Sequence, residues 1–188
     1  MYKIGVVGAG HLGKIHLKIL QNAPFVNLVG FFDSDPKVRK EIKSKFNIKS
    51  FESYQELIDN SDIVDIVTPT LSHFKCAKEA LRSNKHVFIE KPVTHTIEEV
   101  KKLIKLAQTT GRKVQVGHVE RFNPAYNSVK KMIGNPMFIE SHRLSEFNPR
   151  GTDVSVVLDL MIHDIDIILS LISSEVKNIS SSGVSVIS

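Results

Sequence analysis

The sequence predicts an α/β fold, a doubly wound parallel sheet followed by the beginning of an α+β domain. Three observations carry that expectation. A short β-branched run at the N-terminus gives way to glycines and then to a helical pattern; strand-like and helix-like segments alternate from there to Gly117; and beyond Gly117 the alternation stops. A chain of 188 residues has room for one full domain and part of another. Residues 1–120 are therefore expected to form the first domain, and residues 121–188 the opening, incomplete part of the second.

Residues 2–7 are short and apolar, and Leu12, Ile15, His16, Ile19 and Leu20 recur at helical spacing behind the glycines. A second strand is expected over 27–32, ending at Asp33, and Asp35-Pro36 then opens a lysine-rich helix with proline in its first turn. A short third strand is expected near 49–51. Ser53 starts a helix to about residue 59, with Glu56 spaced to complete a capping box. Ile63-Val64-Asp65-Ile66-Val67 reads as a fourth strand, 72–83 as a helix and 86–89 as a fifth strand. Residues 96–110 read as a helix stopped by Gly111, and 113–116 as a sixth strand ended by Gly117. Right-handed crossovers give such an alternation the strand order 3-2-1-4-5-6. Further on, Asn123-Pro124 opens a helix over 123–133, residues 134–136 form a turn, and 137–147 read as a strand with polar residues at alternate positions. A helix over 153–172 and the start of a strand over 176–187 complete the expected order.

Hydrophobic residues make up 41% of the chain and charged residues 24%, as in a packed globular protein. No apolar run approaches the ~20 residues of a membrane-spanning helix, and the N-terminus enters a strand directly, so a cytoplasmic protein without membrane contact is expected. A single cysteine, Cys76, excludes an internal disulfide framework, and its apolar helical neighbours point to packing. The net charge of +5 raises nucleic acid as a partner, but the lysines are interspersed with acids along helix faces, the pattern of a solvated surface, so no nucleic acid is expected. A mild positive field also suits a phosphate-bearing ligand. No metal site is expected.

Gly8-Ala9-Gly10-His11-Leu12-Gly13 matches G-x-G-x-x-G between a strand and a helix, the context that motif requires. Gly8 permits the tight turn, Gly10 lets the backbone approach a pyrophosphate, and Gly13 lets the helix pack closely on the strand. The helix N-terminus then offers free N–H groups to phosphate. This is the pattern of a Rossmann dinucleotide-binding domain. Asp33, twenty residues after Gly13, is placed to accept hydrogen bonds from the adenosine ribose and to repel a 2′-phosphate, which favours NAD over NADP. Two alternatives stay open: Asp33 capping the following turn, and Lys37 or Arg39 pairing with a 2′-phosphate.

Four motifs in this order, the glycine loop, Thr68-Pro69-Thr70-Leu71-Ser72-His73, Glu90-Lys91-Pro92 and Asp159-Leu160-Met161-Ile162-His163-Asp164, resemble the Gfo/Idh/MocA oxidoreductases over essentially the whole chain. The resemblance implies an NAD-dependent dehydrogenase acting on CH–OH groups of sugars. It places Lys91 at the reacting hydroxyl, Glu90 by the nicotinamide ribose, a cis bond before Pro92, and Thr68, Pro69 and His73 along the cofactor. It also places Asp159 and His163 beside the substrate, with His163 as acid/base. Residues four apart share a helix face, and a histidine titrating near neutrality suits removal of an alcohol proton. Lys91 is the rival acceptor, since a crevice lowers a lysine pKa.

Two departures stand out: Met161 where the family often has glycine, and Val154-Ser155-Val156 where glycines commonly precede the helix. Residues 117–124 and Arg150-Gly151-Thr152-Asp153 are similar to the branch that oxidises nucleotide sugars such as UDP-N-acetylglucosamine at its 3-hydroxyl. Arg121, Asn123, Arg143 and Arg150 are thus substrate candidates, each arginine being equally suited to a structural ion pair. The family's second domain usually builds a dimer, which implies a homo-oligomer. Alternatives to the enzyme are an NAD-binding sensor or regulatory protein, and a catalytically incomplete fragment that only binds the dinucleotide. Lys91, Asp159 and His163 favour the enzyme, because a sensor needs only the glycine loop.

Overall fold

Five strands, β1 (Tyr2–Val7), β2 (Val26–Phe32), β3 (Ile63–Ile66), β4 (His86–Glu90) and β5 (Val114–Gly117), pair in parallel in the order β2-β1-β3-β4-β5. The structure, a computed structural model, describes residues 1–144 and 154–184. The order is the expected doubly wound one with a single change. Where a third strand was expected, Ser50 forms only an isolated bridge to Phe31, which donates its N–H to the Lys49 carbonyl and accepts from the Phe51 N–H. Ser53 caps the next helix, α3 (Tyr54–Asp59), two residues after Phe51, so the chain leaves the sheet edge before a second pair forms.

Helices α1 (His11–Gln21) and α2 (Pro36–Phe46) cover one face, where Leu17 and Ile42 pack with Val6 and Phe31. On the other face α3, α4 (Thr70–Arg82) and α5 (Ile97–Thr110) bring Leu57, Ala77, Leu81 and Leu103 onto Val64, Ile66, Val87 and Ile89. Side chains alternate across a strand, so β1 and β2 feed both cores, Val6 and Phe31 on the α1 side and Val7, Val29 and Phe32 on the other. The α1 side is less completely covered. Ile4, Ile19, Ile63 and Phe88 line an open groove of about 550 Å³ beside α1.

Caps fix the helix ends. Asp35 accepts from the Lys37 N–H, and Gly111, at φ 66°, stops α5 as expected. Ser53 accepts from the Glu56 N–H, but the Glu56 carboxylate turns to the Glu52 N–H at 3.0 Å, leaving the expected capping box half made. A complete box closes α5 instead, between Thr96 and Glu99.

Beyond β5 the helix expected over 123–133 is cut to α6 (Pro124–Val129) and a 3₁₀ turn (Lys130–Met132). The expected 153–172 helix appears as a π-helical turn (Val157–Met161) running into α7 (Ile162–Leu171). Residues 137–144 and 176–184 form no strand, and the rest of those two expected strands lies outside the described residues. A strand exists only through hydrogen bonds to a neighbour, and no such neighbour is present among the described residues. Among them, too, no helix is long and apolar enough to cross a membrane.

The division of labour between core and later segment is measurable. Leu81→Ala, at a fully buried position, is expected to lower unfolding free energy by about 2–5 kcal/mol in urea titrations. Ile179→Ala, at an exposed one, should stay within about 0.5 kcal/mol of wild type.

Candidate active site

The turn after β1 is shaped by what a Cβ would meet. Gly8 sits at φ +93°, and a Cβ there would lie 2.6 Å from the Val67 carbonyl; one on Gly13 would lie 2.1 Å from the Gly8 carbonyl. A Cβ on Gly10 would meet no atom within 4 Å. Gly8 and Gly13 are thus required by the fold, while Gly10 keeps bare backbone open towards space. No side chain caps α1, so the N–H groups behind His11 and Leu12 remain available, at the positive end of an eleven-residue helix.

Two cavities share this turn. The larger, about 590 Å³, runs from Gly8 and Gly10 past Asp33 and Tyr54 to Ser72. The other, about 340 Å³, continues from Gly10, His11 and Leu12 to Glu90 and Lys91, and both are walled by Val67, Thr68 and Pro69. Thr68 Oγ1 is buried without a partner among the described residues. Open backbone, free helix N–H groups and an orphaned hydroxyl in one continuous trough fit a dinucleotide. Cys76, at its edge, is inert, as expected: burial pushes its thiol up to about 11.

Asp33 makes one expected contact and one that the sequence did not predict. One oxygen accepts from the Asp35 N–H at 2.9 Å, the turn-capping alternative, while the other accepts from the Ala9 N–H at 2.7 Å. The carboxylate therefore ties the glycine turn to β2 and still lines the larger cavity. Arg39 is held beside it, donating to the Asp33 carbonyl and to Glu52. His73 is 1% exposed, and its two ring nitrogens lie 2.8 and 2.9 Å from the carbonyls of Thr68 and Pro92. The imidazole bridges two walls of the trough, and the peptide between Lys91 and Pro92 is cis.

Sequence reasoning missed a buried cluster behind Glu90. His16 Nδ1 lies 2.9 Å from Asp65 Oδ2, and His16 Nε2 lies 3.4 Å from Glu90 Oε1. Burial disfavours the His16 cation, but the two carboxylates outweigh it and raise its pKa to about 9. Burial also pushes the Asp65 carboxyl up, against the opposing pull of His16. Both ring nitrogens face carboxylate oxygens, and only an imidazolium can donate to both, so the proton belongs on His16. The signal was present: Asp65 is a lone acid inside the strand Ile63–Ile66, in a sheet covered on both faces. Among the described residues no group of three or more His, Cys, Asp or Glu is arranged to hold a metal.

Lys91, at the end of β4, reaches the π-helical turn. Its Nζ donates to the Asp159 carbonyl at 2.7 Å and to Asp159 Oδ1 at 3.0 Å. His163 follows on α7, its Nδ1 buried without a partner among the described residues. Burial lowers its pKa, and the charges of Lys91 and Arg143 lower it further. Arg121 and Arg143 are each paired bidentately on α7, with Asp166 (2.6 and 2.6 Å) and Asp164 (2.7 and 3.0 Å). Asn123 caps α6 through the Ala125 N–H and donates to Glu120. Arg150 lies outside the described residues.

A doubly wound parallel sheet whose glycine turn, helix N-terminus and second-strand aspartate face one trough defines a dinucleotide-binding Rossmann protein. Sequence comparison narrows the class. The pattern described as "Oxidoreductase family, NAD-binding Rossmann fold" matches residues 2–118, and the chain belongs to that family, the Gfo/Idh/MocA oxidoreductases, with NAD as its dinucleotide. UDP-N-acetylglucosamine 3-dehydrogenase of Acidithiobacillus ferrooxidans is 36% identical over 186 residues, covering 98% of this chain and 59% of the relative. A solved structure of that enzyme superposes with a TM-score of 0.91 at 35% identity, over 100% of this chain and 61% of its own. Scyllo-inositol dehydrogenase from Lactobacillus casei, solved with NAD(H) and scyllo-inositol, superposes with a TM-score of 0.66 at 29% identity over 71% of this chain and 41% of its own. The chain thus spans about three fifths of the length of the first of these relatives.

Two outcomes test this geometry. Gly13→Ala should destabilise the fold by about 1–3 kcal/mol, whereas Gly10→Ala should leave stability within about 0.5 kcal/mol and weaken NAD binding about tenfold or more; urea titration and calorimetry read the two. His16 binds its proton more tightly folded than unfolded, so its contribution to stability is full below pH 6.5 and is lost as pH rises through about 9. Wild type should therefore lose up to about 1.4 kcal/mol of stability per pH unit in that window, and His16→Gln should flatten the slope.

Proposed function

We propose that this chain carries the NAD site and proton-transfer residues of an oxidoreductase that moves a hydride between nicotinamide and a secondary hydroxyl of a sugar or nucleotide sugar. The 3-hydroxyl of UDP-N-acetylglucosamine is the leading candidate. The observation that carries this reading is the Lys91 ammonium held on Asp159, near a half-buried histidine whose proton affinity is depressed. NAD, when bound, supplies the hydride acceptor. The rest falls to the chain.

Lys91 is a pure donor, fixed by two oxygens of Asp159, and it orients and polarises the substrate hydroxyl. His163, kept neutral by burial and by the neighbouring cations, takes the hydroxyl proton as the carbon-bound hydrogen leaves as hydride, and returns a proton in the reverse direction. Asp33 receives the adenosine ribose. Residues 121–188 act as the opening part of the substrate domain. Arg121 and Arg143 can meet a diphosphate only by exchanging the carboxylates of Asp166 and Asp164 for it. Apolar side chains exposed along the later segment, among them Met137, Phe138 and Ile179, suit burial in a homo-oligomer. A cytoplasmic location, with no nucleic-acid or membrane partner, completes the reading. A sensor has no use for the Lys91–Asp159 contact, and that favours turnover.

Turnover with UDP-N-acetylglucosamine and NAD, followed at the NADH absorbance, tests this function. His163→Ala is expected to lower kcat by about 10²- to 10⁴-fold while NAD still binds; near-normal turnover in that variant overturns the role of His163. Because Lys91 helps hold the His163 pKa down, Lys91→Met should raise it, read by NMR titration of the imidazole whether or not the variant turns over.

A further inference from the structure

Glu90 ends β4 and lines the trough next to Lys91, at the end opposite Asp33. If Asp33 marks the adenosine end, Glu90 and Lys91 stand at the nicotinamide end. The charges there do not cancel. Lys91 is paired with Asp159 at 3.0 Å, and the His16 cation with Asp65 at 2.9 Å. Glu90, 3.4 Å from the same imidazole, is the third carboxylate against two cations. The Arg121–Asp166 and Arg143–Asp164 pairs are each internally neutral, His163 is held neutral, Glu120, whose charge also reaches His163, does not line the trough, and His11 on the same wall is exposed to solvent.

The Glu90 carboxylate is also fixed. Its side chain is 13% exposed, and it fills the space beside Gly117, where an added Cβ would lie 2.6 Å from Oε1. Oε2 accepts from the Lys91 N–H at 3.3 Å. A carboxylate held in a wall that excludes water acts with less screening than one on a surface.

Oxidised and reduced dinucleotide differ in charge only at the nicotinamide, cationic in NAD⁺ and neutral in NADH. We propose that Glu90, as the uncancelled carboxylate at this end, is a specificity determinant that makes the trough bind NAD⁺ more tightly than NADH. The inference rests on the reading of the trough as a dinucleotide site, and the test keeps the two apart.

Dissociation constants for NAD⁺, NADH and ADP-ribose, which lacks nicotinamide, are measured by calorimetry at pH 8 for this chain and for Glu90→Gln. Wild type is expected to bind NAD⁺ several-fold to about tenfold more tightly than NADH. In Glu90→Gln the ratio of NAD⁺ to NADH affinity should fall towards one, while ADP-ribose, which keeps the ribose next to the nicotinamide, reads any change in binding that does not depend on the charge of the ring. Wild type binding NADH as tightly as NAD⁺, or Glu90→Gln keeping the wild-type ratio, overturns the proposal. Should the variant lose ADP-ribose binding, the wild-type ratio decides: a preference for NAD⁺ that shrinks as salt rises sustains the proposal, and one independent of salt overturns it. If wild type binds none of the three, the dinucleotide site itself is wrong and this inference falls with it.

Discussion

The contact between the Lys91 ammonium and Asp159 joins the end of β4 to the π-helical turn before α7, two places 68 residues apart. It gives the later segment a fixed relation to the sheet. A lysine can make such a bond only where its charge is answered, and here a carbonyl and a carboxylate oxygen answer it together. The π-helical turn presents both, a use of local helix widening that recurs at functional sites. Remove the lysine, and the imidazole on the next turn loses one of the cations that hold its pKa down.

Behind this contact the protein stacks ionisable groups in a way that separates their protonation states. His16, between Asp65 and Glu90, is pushed up to about 9, while His163, half-buried near Lys91 and Arg143, is pushed down. The same side chain thus serves as a fixed cation in one place and a proton acceptor in the other, and the neighbours alone decide which. His73 shows a third use, with both ring nitrogens set between the carbonyls of two trough walls.

Most of the fold was legible in the sequence because it rests on local rules. Gly111 ends a helix, Asp35-Pro36 starts one, and β-branched runs alternate with amphipathic ones. Two errors share a cause. The bridge at Ser50 and the missing ladders over 137–144 and 176–184 concern strands, whose existence depends on a partner remote in sequence. The half-made capping box at Ser53 is subtler: the spacing was right, but the Glu56 carboxylate found the Glu52 N–H first.

The amino-acid sequence by itself determined the glycine turn, the strand order and the four motifs that mark the family, since each depends on residue type and spacing. It did not determine which side chains would meet. That His16 and Asp65 lie behind Glu90, that Arg121 and Arg143 are taken by Asp166 and Asp164, and that Asp33 bonds the glycine turn were decided by tertiary structure. Charge pairing is set by distance and burial in three dimensions, and periodicity along a chain carries no record of either.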